Sequence, residues 1–491
     1  MKKGLNMPRR VNRRKSEPTE RGIKKIFAKS YFSQWLWGMG MAGGLFLVFL
    51  FPFSASLTVK LGTVILIVLS ALIFLIYLFR FYPKLLTVNF LPLFLVLILS
   101  TSLMGKIVLF LPQISNYFVP IAFLSILFSL FFNPTSAVLV TAFLSIVFAV
   151  NAKSLEILPV LFFGGVVGIY GASFIHQRAD ITKVGVWIGF TNLITILGMG
   201  LVAKFSLAQI LISGLWGLGS GIFSSILVTV SLPYLETYFG ITTDIKLLEL
   251  TDLNHPLLKR LSIEAPGTHH HAMMVATLAV AGAENIGANA LLARVGAYYH
   301  DIGKVTRPHF FFENSGLEDL TDKSHQKVNP NLSSTIILSH VKDGTELAKI
   351  HRLPKVVIDI ISEHHGKSLI AYFYRKALEE KKNEEQVDET SFRYPSHRPQ
   401  SKESAIVMLA DSLEADFRFS SGRVSKGSSL TRHKISSRIE KVMDNKLKDH
   451  QLDECNLTLR ELTKIKEAFA RVFAGLAHTR GRYPEEVLKN R

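Results

Sequence analysis

One cysteine, Cys455, stands in 491 residues, so no internal disulfide can form, and the part that carries it suits the reducing cytoplasm. Charge is nearly missing from a long stretch: residues 35–233 hold eight Lys or Arg and two Asp or Glu among runs of Leu, Ile, Val, Phe, Gly and Ala. So little charge over that length excludes an ordinary soluble domain and places the stretch in lipid, in keeping with a mean hydropathy of +0.29. No segment alternates apolar and polar residues as a half-buried strand would. No internal repeat appears beyond the general similarity of the apolar runs, and no secretory signal with a small-residue cleavage site opens the chain.

What remains is helical. Eight apolar segments, 32–55, 59–80, 87–105, 115–132, 135–151, 157–175, 183–203 and 207–232, approach the roughly 20 residues that cross a bilayer. Backbone groups find no water in lipid, so each is predicted to be a helix. An alternative for 115–132 or 135–151, joined only by the turn around Asn133 and Pro134, is a re-entrant segment. Four units are expected: a basic tail over 1–31, a transmembrane helical domain over 32–233 closed by Pro233, a juxtamembrane connector over 234–260, and an all-helical domain over 261–491. In that last part Pro354 marks a helix start, Val357, Ile360, Ile361 and His364 share a face, and Gly366 can end it. Thr458 and Glu461 resemble a capping box ahead of Leu462, Ile465, Phe469, Val472 and Leu476. The polar stretch from Glu379 to Glu403, with Pro395 and Pro399, reads as a mobile loop.

The net charge of +18 invites a nucleic-acid reading, but residues 1–29 carry eleven Lys or Arg and two Glu, half of the excess. A basic tail beside an apolar span is a topology signal toward anionic headgroups, so no nucleic-acid polymer is expected. Arg80 with Lys84 and Arg178 with Lys183 mark inner loops, whereas Lys60, Lys106, Lys153 and Lys204 stand singly in outer ones. Eight crossings then leave both termini cytoplasmic.

Fifteen of the sixteen histidines follow residue 250. Among them His271, His300, His340, His364 and His365, together with Asp301 and Asp411, supply imidazole and carboxylate in numbers that suit two transition metals, Fe, Mn or Zn, over Ca or Mg. A metal pair about 3.5–4 Å apart can bind the non-bridging oxygens of a phosphate ester and make hydroxide available near neutral pH. Asp301 has two oxygens and can bridge. His271, His300 and Asp411 are assigned to one metal, and His340, His364 and His365 to the other. Lys304, about one helical turn past Asp301, is the candidate to stabilise phosphate charge, with Arg307 and Tyr372 as further substrate contacts. Each station has a plain alternative: His364 and His365 could cap a helix C-terminus, His269 or His270 could replace His271, and Asp411 could be a surface residue. Its setting, Ala-Ile-Val-Met-Leu-Ala-Asp-Ser-Leu, argues against exposure, since an unpaired carboxylate among apolar neighbours is costly.

The segments Glu-Ala-Pro-Gly-Thr-His-His-His from Glu264, Ala-Arg-Val-Gly-Ala-Tyr-Tyr-His-Asp-Ile-Gly-Lys from Ala293, Ile-Leu-Ser-His-Val-Lys-Asp-Gly around His340, Ile-Ser-Glu-His-His-Gly and Val-Met-Leu-Ala-Asp-Ser resemble the seven-transmembrane HD family of bacterial receptors, PgpH type. That resemblance implies an HD-superfamily phosphohydrolase with a di-iron or di-manganese centre on the seven residues named. It implies hydrolysis of cyclic di-AMP to pApA by a metal-bridging hydroxide, at the bacterial plasma membrane, to regulate second-messenger level. Expected partners are cyclic di-AMP and the lipid bilayer, with a homodimer as the assembly considered. The family's large extracellular sensor domain would follow the first span, where this chain has only Ser54 to Lys60. Two alternatives stay open: the same chemistry on cyclic di-GMP or a guanosine polyphosphate, and a non-catalytic nucleotide sensor.

Overall fold

The computed structural model describes residues 91–175, 177–314, 329–380, 387–421 and 432–478, with scattered positions between 58 and 80. The basic tail and the segment 32–55 lie outside the described residues, as does most of 59–80. The chain divides into two compact units, Met1–Ile241 and Thr242–Arg491.

In the first unit the described helices are α1 (Leu91–Phe110), α2 (Ile121–Phe131, after a 3-10 turn at Asn116–Phe118), α3 (Pro134–Ala152), α4 (Ile157–Ala172), α5 (Arg178–Val202) and α6 (Leu207–Phe239). They fall on six of the eight apolar segments. Helices α1, α3, α5 and α6 are long and apolar enough to cross a membrane, and Asn116–Phe131 and α4 are shorter apolar helices. Local signals set their ends. Asn133 caps α3 by accepting from the Ser136 amide at 2.8 Å, ahead of Pro134 in the first turn. Ser206 and Gln209 form the capping box of α6.

Helix α6 corrects one expectation, because it runs through Pro233 and ends only at Gly240, whose φ of +62° suits glycine. Proline deprives one carbonyl of its helical donor, a loss that neighbouring helices and Ser or Thr side chains can absorb at membrane depth. The 33 residues of α6 make about 50 Å of helix, more than the roughly 30 Å of a hydrocarbon core.

Side-chain polarity in this unit is reversed. Trp187, Ile194, Leu201 and Leu215 are exposed, as lipid contact requires, while Ser125, Thr141 and Asn192 are buried. Helices α5 and α6 cross at Gly189 and Gly221, where a Cβ on Gly221 would sit 2.4 Å from the Gly189 nitrogen, so only glycine allows the approach.

The second unit holds α7 (Asp244–Glu249), α8 (Pro256–Glu264), α9 (Pro266–Ile286), α10 (Ala290–Tyr299), α11 (Pro330–Ile350), α12 (Lys355–Glu363), α13 (Ala371–Glu380), α14 (Lys402–Ser421), α15 (Arg432–Lys448) and α16 (Leu459–His478). It is all-α: among the described residues only an isolated bridge, Leu369 with Arg393, has β character. Helix α14 is its axis, with Ala405 to Ala410 fully buried and packed on Val275 and Leu278 of α9 and on Ile465 and Phe469 of α16. Removing a buried side chain of this size from water stabilises by about 1.5–3 kcal/mol. Thr458 and Glu461 do cap α16, the Thr458 amide donating to the Glu461 carboxylate at 2.9 Å and the Glu461 amide to the Thr458 hydroxyl at 3.2 Å.

The stretch expected to be mobile is held in its described part, 387–403. Phe392 is buried against Phe373 and Ala377, and the Gln400 amide donates to Glu363 at 3.0 Å. An aromatic anchor and a backbone hydrogen bond need no periodicity, which is why helical pattern reading passes over them.

Candidate metal centre

Six elements bring the seven residues together. His271 comes from the second turn of α9, His300 closes α10, and Asp301 opens the 3-10 turn Ile302–Thr306. His340 lies at the middle of α11, His364 caps α12 with His365 next, and Asp411 lies on α14. Gly303 makes the central approach possible. A Cβ there would stand 1.9 Å from the His340 carbonyl oxygen, so the bare backbone lets the turn after Asp301 press against α11. Of the histidine triplet, His271 is the buried member, 3 % exposed.

The ligand atoms form two groups, Asp301, His340, His364 and His365 in one and His271, His300 and Asp411 in the other. Asp301 faces both. Its Oδ2 lies 3.2 Å from His300 Nε2 and 3.6 Å from His271 Nε2, while its Oδ1 lies 3.3 Å from His340 Nε2 and 3.7 Å from His364 Nε2. Asp411 Oδ1 is 3.0 Å from His271 Nε2, and its Oδ2 is 3.5 Å from His365 Nδ1.

Backbone carbonyls orient three of the rings. Nδ1 of His300, His340 and His364 lies 2.7, 2.6 and 2.8 Å from the carbonyl oxygens of Ala297, Ile337 and Ile361, three residues earlier in each case. A carbonyl only accepts, so Nδ1 carries the proton and Nε2 points inward with its lone pair. His340 Nε2 and His364 Nε2 then face each other at 3.3 Å, two lone pairs that repel unless a cation or proton lies between them. His300 Nε2 and both oxygens of Asp301 are buried without an aligned hydrogen bond. This donor set fits divalent metal.

The electrostatics agree. Burial, opposed by Asp301, pushes His340 down to about 3, and burial also lowers His364 and His365, leaving these imidazoles neutral as ligation requires. For Asp301 burial acts upward, but Lys304 and His300 outweigh it and hold the carboxyl well below its usual range. Burial likewise opposes ionisation of Asp411, and the contacts to His271 and His365 override it. Burial alone would lower His271, yet its hydrogen bonds to Asp411 and Glu414 raise it to about 9. The pocket around His271 calls for positive charge.

Lys304 is partly buried, with its ammonium 2.7 Å from Asp301 Oδ2 and 2.7 Å from Glu313 Oε1. Arg307 is half exposed and pairs with Asp343 at 3.3 Å. Tyr372 is 61 % exposed on α13 and packs edge-on against Phe373. Three residues beside the centre escaped sequence reading. Tyr394 lays its ring on His365 with centroids 4.3 Å apart, Glu313 holds Lys304, and Glu414 accepts from His271 Nδ1 at 2.5 Å. The spacing of Glu414, three after Asp411 on one helix, was the available signal for the last.

Comparison with known proteins bears on this arrangement. Residues 57–243 match the family described as 7TM receptor with intracellular HD hydrolase, and residues 268–416 match the HD domain. The chain belongs to this receptor family. It is a multi-pass membrane protein with an HD domain. Among curated relatives, the cyclic-di-AMP phosphodiesterase PgpH of Bacillus subtilis (strain 168) is 39 % identical over 387 residues, 76 % of this chain and 52 % of that protein. PgpH of Listeria monocytogenes serotype 1/2a (strain 10403S) is 35 % identical over 434 residues, 86 % of this chain and 58 % of that one. The chain thus spans a little over half the length of these relatives. Two crystal structures of the L. monocytogenes PgpH HD domain, one in complex with cyclic di-AMP, are 42 % identical to it. Each is covered completely and covers 46 % of this chain, with TM-scores of 0.41 and 0.42.

Proposed function

We propose that the protein is a membrane-anchored phosphodiesterase that hydrolyses cyclic di-AMP to linear pApA with two divalent metals, iron or manganese, and so sets the level of a second messenger at the bacterial plasma membrane. The observation that carries the reading is Asp301, whose two oxygens face two separate groups of ligand atoms. The names of the two PgpH relatives supply the substrate. Both termini are assigned to the cytoplasm, following the basic tail. Lys106 of α1 donates to Asn151 of α3 at 3.4 Å, and Arg178 of α5 lies 3.6 Å from Glu236 of α6, pairings that suit helices alternating in direction.

His271, His300 and Asp411 would hold one metal and His340, His364 and His365 the other, with Asp301 shared. When bound, such a pair neutralises phosphate oxygens and lowers the pKa of water toward neutrality. The protein's own groups do the rest. Backbone carbonyls fix three imidazoles so that little reorganisation is needed. The Lys304 ammonium, held between Asp301 and Glu313, offers a second positive charge to a phosphate as negative charge develops. Arg307 and Tyr372 are assigned to the outer parts of the substrate. Water attacks phosphorus in line, its oxygen joining the phosphate, while the bond to the ribose 3′-oxygen breaks and that oxygen takes up a proton. The 5′-linked phosphate remains on the product.

The test is product analysis of the full chain in detergent with Mn(II), offered cyclic di-AMP beside cyclic di-GMP. Accumulation of pApA from the first, with slower turnover of the second, is expected. Faster turnover of cyclic di-GMP would reassign the substrate, and no turnover of either would remove the phosphodiesterase reading.

A further inference from the structure

The two groups of ligands are supported differently. His300, His340 and His364 each give the Nδ1 proton to a neutral backbone carbonyl. His271 alone among the four oriented rings gives it to a carboxylate, Glu414 Oε2, at 2.5 Å. Glu414 is 8 % exposed, and its other oxygen, Oε1, is held by Arg418 Nε at 3.0 Å and Nη2 at 2.6 Å, one helical turn further along α14. The carboxylate is therefore fixed in place. It sits three residues after Asp411 on the same helix, so one turn of α14 supplies both a ligand atom and the group behind a neighbouring ligand.

Charge then differs between the groups. On the His271 side stand Oδ1 of Asp411, Oδ2 of Asp301 with the Lys304 ammonium 2.7 Å from it and, behind the imidazole, Glu414. On the other side stand three imidazoles and Oδ1 of Asp301, with Asp411 Oδ2 3.5 Å from His365 Nδ1, and no carboxylate backs a ring there among the described residues: His340 and His364 lean on carbonyls and His365 on the Tyr394 ring. A negative acceptor on Nδ1 pushes electron density toward Nε2 and makes it a stronger donor to a cation, which a carbonyl does less. Arg418 offsets part of this, but it binds the oxygen that faces away from His271.

We infer that Glu414 is a positioning residue that locks and charges His271, so that the His271, His300 and Asp411 position binds a divalent cation more tightly than the His340, His364 and His365 position. The inference rests on the two-metal reading proposed above. It makes the centre asymmetric, with one resident cation and one that exchanges more readily with the medium.

The experiment is a Mn(II) titration of the metal-free full chain in detergent, following free Mn(II) by its electron paramagnetic resonance signal. The unmodified chain is expected to bind in two resolved steps. Glu414→Met, which keeps the length and removes the acceptor, weakens the tighter step by about 10–100-fold and leaves the other in place. Glu414→Gln retains an acceptor oxygen without the charge and falls between the two. Circular dichroism checks the folding of each variant, and if Glu414→Met is unfolded the near-isosteric Glu414→Gln decides alone. Two steps that shift together, or neither shifting, overturn the inference while leaving the two-metal reading intact. Failure of the unmodified chain to take up Mn(II) at all removes the two-metal reading instead.

Discussion

Both units bury polar atoms inside helical packing, and they settle them in opposite ways. In the membrane unit the groups are mostly spent on neighbours: the Ser125 and Thr141 hydroxyls meet at 2.7 Å, and Asn192 Nδ2 donates to the Gly217 carbonyl at 3.0 Å. Those left over there among the described residues, the hydroxyls of Ser102 and Ser224 and the Asn192 carbonyl oxygen, are neutral. In the second unit the atoms without an aligned hydrogen bond include both oxygens of Asp301, which are charged: Oδ2 has the Lys304 ammonium at 2.7 Å, and Oδ1 faces the imidazoles of His340 and His364. A neutral buried group without a partner costs about 1–3 kcal/mol, whereas the penalty on a buried ion is several kcal/mol even after relaxation. The first is tolerable packing. Lys304 meets that cost at one oxygen and leaves the other facing neutral imidazoles, which is how one rule about buried polarity yields a scaffold in one region and a candidate metal centre in the other.

The comparison can be broken at three points. Asp301→Ala removes the group facing both sets of ligands. Hydrolysis of cyclic di-AMP is expected to fall by more than about 100-fold, since even the outer partners of metal ligands are worth 10–100-fold. A product assay with metal content measured alongside checks it, and retained activity would deny Asp301 a bridging role. Lys304→Met takes the shared cation from Asp301 and Glu313, leaving Glu313 the Thr268 hydroxyl at 3.1 Å, and is expected to lower the unfolding temperature of the second unit. Adding Glu313→Leu should return part of it, because it removes one of the two carboxylates that lost the ammonium and leaves Asp301 to its histidines. Equal unfolding temperatures for the single and double variants would contradict the pairing. The smallest effect belongs to the membrane unit. Gly221→Ala forces α5 and α6 apart at Gly189 and is expected to cost about 1–3 kcal/mol of thermal stability in detergent, while metal bound per folded chain stays unchanged.

Much of this was legible in the sequence because the residue types are unusual where they stand. Imidazoles crowd one half of the chain, charge is scarce in the other, and Asp411 lies in an apolar run. Helix ends with dedicated chemistry, such as Asn133 and the Thr458–Glu461 pair, were equally readable. Harder were features made only by tertiary contact. Glu414 and Glu313 are ordinary helix or loop carboxylates until His271 and Lys304 arrive beside them from elsewhere in the chain. Tyr394 sits in a stretch without periodicity and becomes part of the site wall only because Phe392 anchors the backbone next to it. Pro233 misled for a different reason: local propensity ends a helix in water, but within a membrane unit the surroundings can carry the helix past it.

The most direct test of the central claim is low-temperature electron paramagnetic resonance of the Mn(II)-loaded full chain. Two manganese ions sharing Asp301 are predicted to give an exchange-coupled multiline signal at two equivalents per chain, and Asp301→Ala is predicted to abolish it. An isolated six-line Mn(II) spectrum at saturation, unchanged by Asp301→Ala, would contradict the account.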